Sequence, residues 1–142
     1  RNKSTICFYN DSSSTNPNTT AAALEAFGKE KKILILGGQD KGLDYSPLRT
    51  ALKKYKTEAV ILFGENKNKI RRAIKNSAKI KIVNDLGGAV REAYRVWVAK
   101  TIEDRELTNW NVIFSPGAAS FDMFRDYADR GEVFKRIVKK LR

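Results

Sequence analysis

The sequence has 142 residues, of which 42% are hydrophobic, and this is enough for one domain with its own core over residues 1–142. It contains no histidine, which excludes Ser-His-Asp and Cys-His catalysis and the commonest transition-metal sites. Its 28 basic and 16 acidic residues give a formal net charge of +12, which favours anionic partners. We expect most of these charges to lie on solvated helix surfaces.

The apolar residues occur in short runs. The longest, such as 59–63, are far shorter than the ~20 residues of a membrane helix, so no membrane partner is expected. The only cysteine, Cys7, lies in an apolar run and is predicted to be buried and reduced, as is typical of a cytoplasmic protein. Because the chain begins with Arg1 and not with Met, we expect it to be part of a longer protein.

The N-terminal third predicts a strand, a helix and a second strand. Residues 5–9 and 32–36 are short, apolar and rich in β-branched side chains, which is typical of strands. Asn16-Pro17 is a typical helix start, because proline in the first turn loses no intrahelical hydrogen bond. The helix is therefore predicted over 17–27, and Gly28 ends it.

The rest of the chain continues this alternation. Ser46-Pro47 opens a helix to about Tyr55, and apolar residues recur with helical period in 86–101 and 133–141. The stretch 102–110 lacks periodicity and is predicted to be a loop or a frayed helix end. Further strands are predicted at 59–63, 79–83 and 111–115. The alternation predicts a three-layer, Rossmann-like α/β domain with a mostly parallel sheet of five to six strands and helices on both faces.

Three loops follow predicted strands, at the edge of the sheet where open α/β folds bind ligands. The first loop, residues 10–16, reads NDSSSTN and leads into a helix. Its hydroxyls and the helix N-terminus are suited to an anion, but plain N-capping by Thr15 or Asn16 explains the same residues equally well.

The second loop, residues 37–44, begins GGQDKG and matches neither the dinucleotide fingerprint nor the P-loop. We predict a flexible loop in which Lys41 meets a carboxylate or phosphate, and an ordinary surface lysine is the open alternative. The third loop, residues 115–122, reads SPGAASFD and is not a nucleophile elbow. Its small residues would let a ligand approach the backbone, and Ser120 is predicted to contact that ligand or to cap a helix directly after it.

Together these segments resemble the C-terminal domain of the Mur ligase family. The resemblance is carried by Asn10-Asp11 through Asn16, by GGQDKG with DYSPL at 44–48, by SPGAASFDMF at 115–124 and by RGEVF at 130–134. The second and third of these segments are more particular to the branch of the family that adds D-glutamate. The resemblance covers nearly the whole chain in order and spacing.

This resemblance implies an ATP-dependent ligase of three domains, in which D-glutamate is added to UDP-N-acetylmuramoyl-L-alanine during peptidoglycan synthesis in the bacterial cytoplasm. An N-terminal domain would bind the UDP-sugar, and a central domain would hold ATP and magnesium. Neither domain is present in this sequence. The chain would supply amino-acid binding, with no metal ligand or catalytic residue of its own, and alone it is expected to be inactive.

The same resemblance implies roles for eight residues. The two carboxylates of D-glutamate would be held by Thr15, Lys41, Ser120, Phe121 and the main chain near Tyr127. The nucleotide edge would be formed by Asp11, Ser13 and Asn16. The family usually has lysine at the position of Ser13, so a phosphate contact is expected to be missing, and phenylalanine is frequent at the position of Tyr127.

Two alternatives remain open at this point. A sister Mur ligase or a folylpolyglutamate-type ligase would share the domain, and the departure at Ser13 gives that alternative some weight. A basic nucleic-acid-binding α/β module would explain the charge of +12. However, the sequence has no recognisable motif of that class and no alternation of aromatic and basic residues, so no nucleic-acid partner is predicted. A Rossmann oxidoreductase is excluded by the missing glycine fingerprint.

Overall fold

The computed structural model describes residues 4–104 and 108–141, which form one sheet with helices on both faces. The strands are β1 (Thr5–Asn10), β2 (Lys31–Leu36), β3 (Ala59–Leu62), β4 (Ile80–Ile82) and β5 (Asn109–Phe114). The helices are α1 (Pro17–Phe27), α2 (Ser46–Lys54), α3 (Lys67–Ala73), α4 (Leu86–Asp104) and α5 (Tyr127–Lys139). The order across the sheet is β1-β5-β2-β3-β4, and every neighbouring pair is parallel. The predicted three-layer α/β fold is confirmed.

The core has one layer on each face of the sheet. In β2, Ile33 and Ile35 pack with residues of α4 and α5, whereas Leu34 and Leu36 pack with residues of α1, α2 and α3. All four side chains are fully buried, because successive residues of a strand point to opposite faces and helices cover both. Within residues 4–104 and 108–141, no helix has the length and apolar character to cross a membrane.

The predicted helix boundaries near the proline and glycine residues are confirmed. The Asn16 side chain accepts a hydrogen bond from the Thr19 backbone N–H at 3.0 Å, and Pro17 is the first helical residue. At the other end, the N–H of Gly28 donates to the Leu24 and Glu25 carbonyls. Helix α2 begins at Ser46 as predicted and ends at Lys54.

Two predicted boundaries are wrong. Of the loop and the helix end predicted for 102–110, the helix end agrees with α4, which continues to Asp104, but β5 begins at Asn109 and not at Asn111, while residues 105–107 lie outside the described ranges. Asn109 and Trp110 belong to the strand because Asn109 pairs with Thr5 of β1 and Trp110 pairs with both β1 and β2. No helix follows Ser120 directly, because α5 begins only at Tyr127, where Asp126 is the N-cap.

The prediction that Cys7 is buried is also wrong. Its side chain is exposed because β1 is an edge strand of the sheet. Along this strand Ile6 and Phe8 pack partly against the core, whereas Cys7 and Tyr9 point to the other, more exposed face. The position of β1 in the sheet cannot be read from the apolar run itself.

Candidate functional site

The sheet order brings the three loops together. The first, second and third loops follow β1, β2 and β5, and these strands are neighbours in the order β1-β5-β2. Because the strands are parallel, their carboxyl ends lie at the same edge of the sheet. The third loop therefore lies between the other two, and we call this edge the carboxyl edge.

Backbone hydrogen bonds join the third loop to both neighbours. On one side, the Gly117 N–H donates to the Ser14 carbonyl at 3.1 Å. On the other side, the Gly37 N–H donates to the Pro116 carbonyl at 3.0 Å and the Gln39 N–H donates to the Ala119 carbonyl at 2.9 Å. The positions of the first and second loops are thus set through the third.

Arg130 provides a second connection between the first and third loops. It lies on α5 and is fully buried. Its Nε donates to the Ser12 Oγ at 2.9 Å, and its terminal nitrogens donate to the Ala118 carbonyl at 2.8 Å and the Ser12 carbonyl at 2.6 Å. Burial lowers the pKa of Arg130 to about 10, against the opposite effect of the Asp122 charge, so the guanidinium is charged at neutral pH.

A buried tyrosine connects the second and third loops. The Tyr45 hydroxyl donates to the Gly117 carbonyl at 2.9 Å and accepts from the Asn66 Nδ2 at 2.9 Å. The Asn66 Oδ1 in turn accepts from the Gly38 N–H at 2.9 Å. Burial raises the pKa of Tyr45 to about 12, with a further contribution from the Asp40 charge. The second loop is therefore anchored at its glycine pair.

Two glycines allow these backbones to approach one another. A Cβ at Gly38 would lie 2.5 Å from the Ala119 carbonyl oxygen. Gly117 has a φ of +63°, in the left-handed region, and a Cβ there would lie 2.7 Å from the Thr20 Oγ1. These glycines are needed for contacts inside the protein, whereas the sequence interpretation had assigned the small residues of the third loop to ligand approach.

Most hydroxyls at the carboxyl edge bind partners within the protein. The Ser12 Oγ donates to the Tyr127 carbonyl at 2.7 Å, and the Ser115 Oγ donates to an Asp11 carboxylate oxygen at 2.8 Å. The Ser14 hydroxyl lies 3.0 Å from the Thr20 hydroxyl. These side chains are occupied in stabilising the loops.

Two predicted contact residues differ from this pattern. Ser120 is 2% exposed and Thr15 is half-buried. Neither hydroxyl has a hydrogen-bond partner within residues 4–104 and 108–141. In the described residues, the fully buried side-chain atoms without a partner are Gln39 Oε1 and Trp97 Nε1, so the Thr15 and Ser120 hydroxyls keep access to solvent and are free to bind a ligand.

Lys41 and Phe121 are brought together by the second and third loops. The Lys41 Nζ lies 6.0 Å from the centroid of the Phe121 ring, which is 62% exposed. No carboxylate in the described part of the chain forms an ion pair with Lys41. Tyr127 begins α5, and the N–H groups of a first helical turn have no acceptor within the helix. The structure thus places Lys41, which has no ion pair in the described residues, beside Phe121.

The three residues predicted at the nucleotide edge have different environments. Asp11 is half-buried and accepts a hydrogen bond from Ser115, whereas Ser13 is exposed in the turn after β1. The Asn16 side chain is the N-cap of α1, so of the two capping residues considered, Asn16 and not Thr15 has that role. Within residues 4–104 and 108–141, no three His, Cys, Asp or Glu side chains are grouped to hold a metal ion.

The sequence profile of the family described as "Mur ligase, glutamate ligase domain" matches residues 1–104. The chain belongs to the Mur ligase family. This Mur ligase domain is 42% identical over 131 residues to the UDP-N-acetylmuramoylalanine–D-glutamate ligase of Aquifex aeolicus, covering 92% of the chain and 29% of that protein. The enzyme of the same name from Francisella philomiragia is 38% identical over 143 residues, covering 100% of the chain and 32% of that protein.

The Mur ligase domain therefore spans about a third or less of the length of these curated relatives. Among solved structures, folylpolyglutamate synthase of Mycobacterium tuberculosis, complexed with ADP and AMPPCP, superposes with a TM-score of 0.58. That match has 12% sequence identity and covers 87% of the domain and 28% of the solved chain. It establishes a shared fold.

Sequence reasoning did not predict the buried polar residues that hold the Mur ligase domain's loops, namely Arg130, Tyr45 and Asn66. Arg130 lies four residues before Phe134 and seven before Ile137, on the apolar face of α5. A charged residue on an apolar helix face is a signal of a buried polar contact. The signal indicates burial, but the partners lie in distant segments and become visible only in the fold.

Proposed function

We propose that this chain is the C-terminal, amino-acid-binding domain of a bacterial, cytoplasmic, ATP-dependent ligase. The whole enzyme would add D-glutamate to UDP-N-acetylmuramoyl-L-alanine. The names of the relatives and the order of the loop motifs support this proposal. The N-terminal and central domains of the same protein would be its partners and would bind the UDP-sugar and ATP.

The proposal depends on which polar groups at the carboxyl edge have a hydrogen-bond or ion-pair partner within the protein. In this part of the described structure, the Lys41 ammonium and the Thr15 and Ser120 hydroxyls lack protein partners, as do the exposed Ser13 hydroxyl and the buried Gln39 Oε1, whereas Ser12, Ser14 and Ser115 are paired. D-glutamate has two carboxylates, and a cation with neutral donors is the set of groups that binds such a dianion.

Phe121 and Tyr127 complete the proposed amino-acid site. Phe121 restricts the Lys41 side chain through contact with its aromatic face. The main chain at Tyr127 supplies an N–H at the start of α5, where the helix end favours negative charge. The side chain of Tyr127 is not required for this contact, so tyrosine in place of the family's frequent phenylalanine is compatible with it.

The proposed reaction forms an amide bond from an acyl phosphate. The amine of D-glutamate attacks the carbonyl carbon of the phosphorylated alanyl group, the C–N bond forms, the C–O bond to phosphate breaks, and the amine loses a proton. By holding both carboxylates, this chain would leave the amine free and oriented toward the carbonyl. Asp11, Ser13 and Asn16 would border the nucleotide. Magnesium would be held mainly by the central domain.

The substitution Lys41→Ala in the full-length enzyme tests the site. A charge-assisted hydrogen bond to a carboxylate contributes roughly 1.5–3 kcal/mol, so kcat/KM for D-glutamate should fall about ten- to hundredfold. The KM for ATP should stay the same. Lys135→Ala, which removes an exposed lysine of α5, is the matched control. Unchanged kinetics for D-glutamate in Lys41→Ala would contradict the assignment.

A substrate panel separates this function from that of sister ligases. We expect the full-length enzyme to use D-glutamate in preference to L-glutamate and to require the UDP-sugar. Coupling of another amino acid, still dependent on Lys41, would leave the site in place and show that the substrate assignment is wrong. The chain of 142 residues alone should release no phosphate from ATP with all substrates present. Phosphate release would contradict the proposal that ATP is bound by another domain of the protein.

A further inference from the structure

Basic residues are concentrated in one segment of the chain, of which only Lys67 and Lys69 lie near the carboxyl edge, where Lys69 pairs with Asp40. Residues 53–81 contain ten of the 28 lysine and arginine residues but only two of the 16 acidic residues. Ten positive and two negative charges leave +8 in this segment, out of the net +12 of the chain. The segment runs from the end of α2 through α3 to β4, which is an edge strand. A surface that only aided solubility would mix both signs of charge.

The amino ends of β3 and β4 border a concave pocket of about 520 Å³ within this region. Lysines from both helical layers reach it, since Lys53 lies on α2 and Lys100 on α4, which cover opposite faces of the sheet. Lys56 and Lys79 lie on the loops that enter β3 and β4. We call this site, defined by Lys53, Lys56, Lys79 and Lys100, the lysine pocket.

The sheet fixes the two loops of the lysine pocket. Strands β3 and β4 are paired in parallel, and the Val60 N–H donates to the Lys79 carbonyl at 2.8 Å. On the other side of β3, the Glu58 N–H donates to the Lys32 carbonyl at 2.9 Å. The pocket therefore results from the register of the sheet, and its lysines have defined positions along the backbone.

The positive charge of the lysine pocket is only partly balanced. Glu58 also lines it, and Glu103 lies 3.9 Å from the Lys100 Nζ. Within residues 4–104 and 108–141, no carboxylate forms an ion pair with Lys53, Lys56 or Lys79. The negative end of α2 favours Lys53, in its last turn, and Lys56, which directly follows the C-cap Tyr55, but it does not explain Lys79.

We propose that the lysine pocket binds a small anion that carries two or more clustered phosphate groups. Lysine is a point-charge ligand for phosphate, and several converging lysines suit an anion with more than one negative charge. The volume lies within the ~300–1,000 Å³ of typical ligand sites, and Asn76 and Ser77 at its wall supply neutral polar groups. A concave pocket fits a compact polyphosphate better than an extended nucleic-acid strand. It lies at the opposite edge of the sheet from the proposed amino-acid site.

Calorimetric titration of the 142-residue chain with inorganic tripolyphosphate at physiological salt tests this proposal. We expect one site whose affinity falls at least about tenfold in Lys56→Ala/Lys79→Ala, because two charge-assisted contacts are lost. The control Lys135→Ala/Lys139→Ala removes the same charge from α5, at the other side of the fold, and should change affinity by less than about twofold. Equal losses of tripolyphosphate affinity in the two double variants would overturn the proposal. The absence of tripolyphosphate binding by the unsubstituted chain would also overturn it.

Three further measurements test the proposal, and the first two do not depend on the substitutions. Amide chemical shifts of the unsubstituted chain should respond to tripolyphosphate in residues 53–58 and 76–79, and a response confined to the carboxyl edge would contradict the site. Inorganic orthophosphate should compete only weakly with tripolyphosphate for the pocket. If orthophosphate binds as tightly as tripolyphosphate, clustered phosphates are not needed and the proposal is contradicted. A single-stranded oligonucleotide that binds more tightly than tripolyphosphate, with the same variant dependence, would make this surface a nucleic-acid interface and the proposal wrong.

Discussion

At the carboxyl edge of the sheet, polar side chains are buried and bind one another. At the opposite edge, which is formed by the amino ends of the strands and which we call the amino edge, lysines line a pocket with few acidic partners. Arg130, Tyr45 and Ser12 have their hydrogen bonds satisfied inside the protein. Lys56 and Lys79 are exposed and have no ion pair in the described part of the chain. Net charge is therefore concentrated at the amino edge, whereas the proposed amino-acid site lies at the carboxyl edge, where most polar groups are paired and a few are not.

Burial explains why the polar groups of the two edges differ in their hydrogen bonding. A guanidinium moved out of water is costly, and at Arg130 this cost is offset by three hydrogen bonds and by the Phe114 ring, 5.9 Å from the guanidinium. Such a network holds the loops in one arrangement before a ligand arrives, which favours binding. Exposed lysines remain hydrated and mobile, so the amino edge can attract anions without prior order.

The largest expected effect is the loss of the Arg130 network. Arg130→Ala removes three hydrogen bonds and leaves buried carbonyl acceptors without partners, which should destabilise the chain by about 3–5 kcal/mol. Urea unfolding measures this free energy. The control is Arg125→Ala, whose side chain is 87% exposed and whose loss should cost under about 1 kcal/mol. Similar losses of unfolding free energy in the two variants would show that the loops at the carboxyl edge do not depend on the buried Arg130.

Tyr45→Phe should have the next largest effect. It should lower the free energy of unfolding by about 1–3 kcal/mol, because the Gly117 carbonyl and the Asn66 amide lose a partner. The pKa of Tyr45 is raised to about 12 from 10.0, so its contribution to stability is complete below pH 10.0 and is lost as pH rises toward about 12. The difference in unfolding free energy between the two proteins should therefore be constant from about pH 7 to 9 and narrow above about 10. A difference that widens in alkali would contradict this interpretation.

The contrast between paired and unpaired hydroxyls can be tested within the first loop. Ser12→Ala removes contacts to Tyr127 and Arg130 and should cost about 1–2 kcal/mol of stability. Thr15→Ala should leave stability within about 0.5 kcal/mol but lower kcat/KM for D-glutamate in the full-length enzyme by about two- to tenfold. If Thr15→Ala destabilises the chain as much as Ser12→Ala and leaves kinetics unchanged, Thr15 is structural.

The smallest expected effect concerns the departure from the family at Ser13. This side chain is exposed, so Ser13→Lys should not disturb the fold. In the full-length enzyme it should tighten ATP or ADP binding by about 0.5–2 kcal/mol through an added positive charge, with D-glutamate binding unchanged. Calorimetric titration of both proteins measures the difference. Equal nucleotide affinities would remove the nucleotide role of the first loop and leave the amino-acid role of Thr15 and Lys41 intact.

The sequence by itself determined the alternation of strands and helices and several of their boundaries. Apolar periodicity, the proline after Asn16 and the glycine at position 28 act on near neighbours in the chain, and these local preferences agree with the fold. The loop motifs also pointed to Lys41, Thr15 and Ser120, because residue types and spacing are readable without a fold. That these residues meet at one edge follows from strand order, which the sequence pattern left open.

Only the tertiary structure decided which polar groups are occupied and which are available. Ser12 and Thr15 lie in the same short loop, yet Ser12 binds Arg130, which is 118 positions away, and Thr15 has no hydroxyl partner in the described residues. The exposure of Cys7 and the strand at Asn109 likewise depend on which strands become neighbours. Hydrogen bonds and burial between distant segments arise from packing, and the free energy of those contacts is absent from any local pattern of residues.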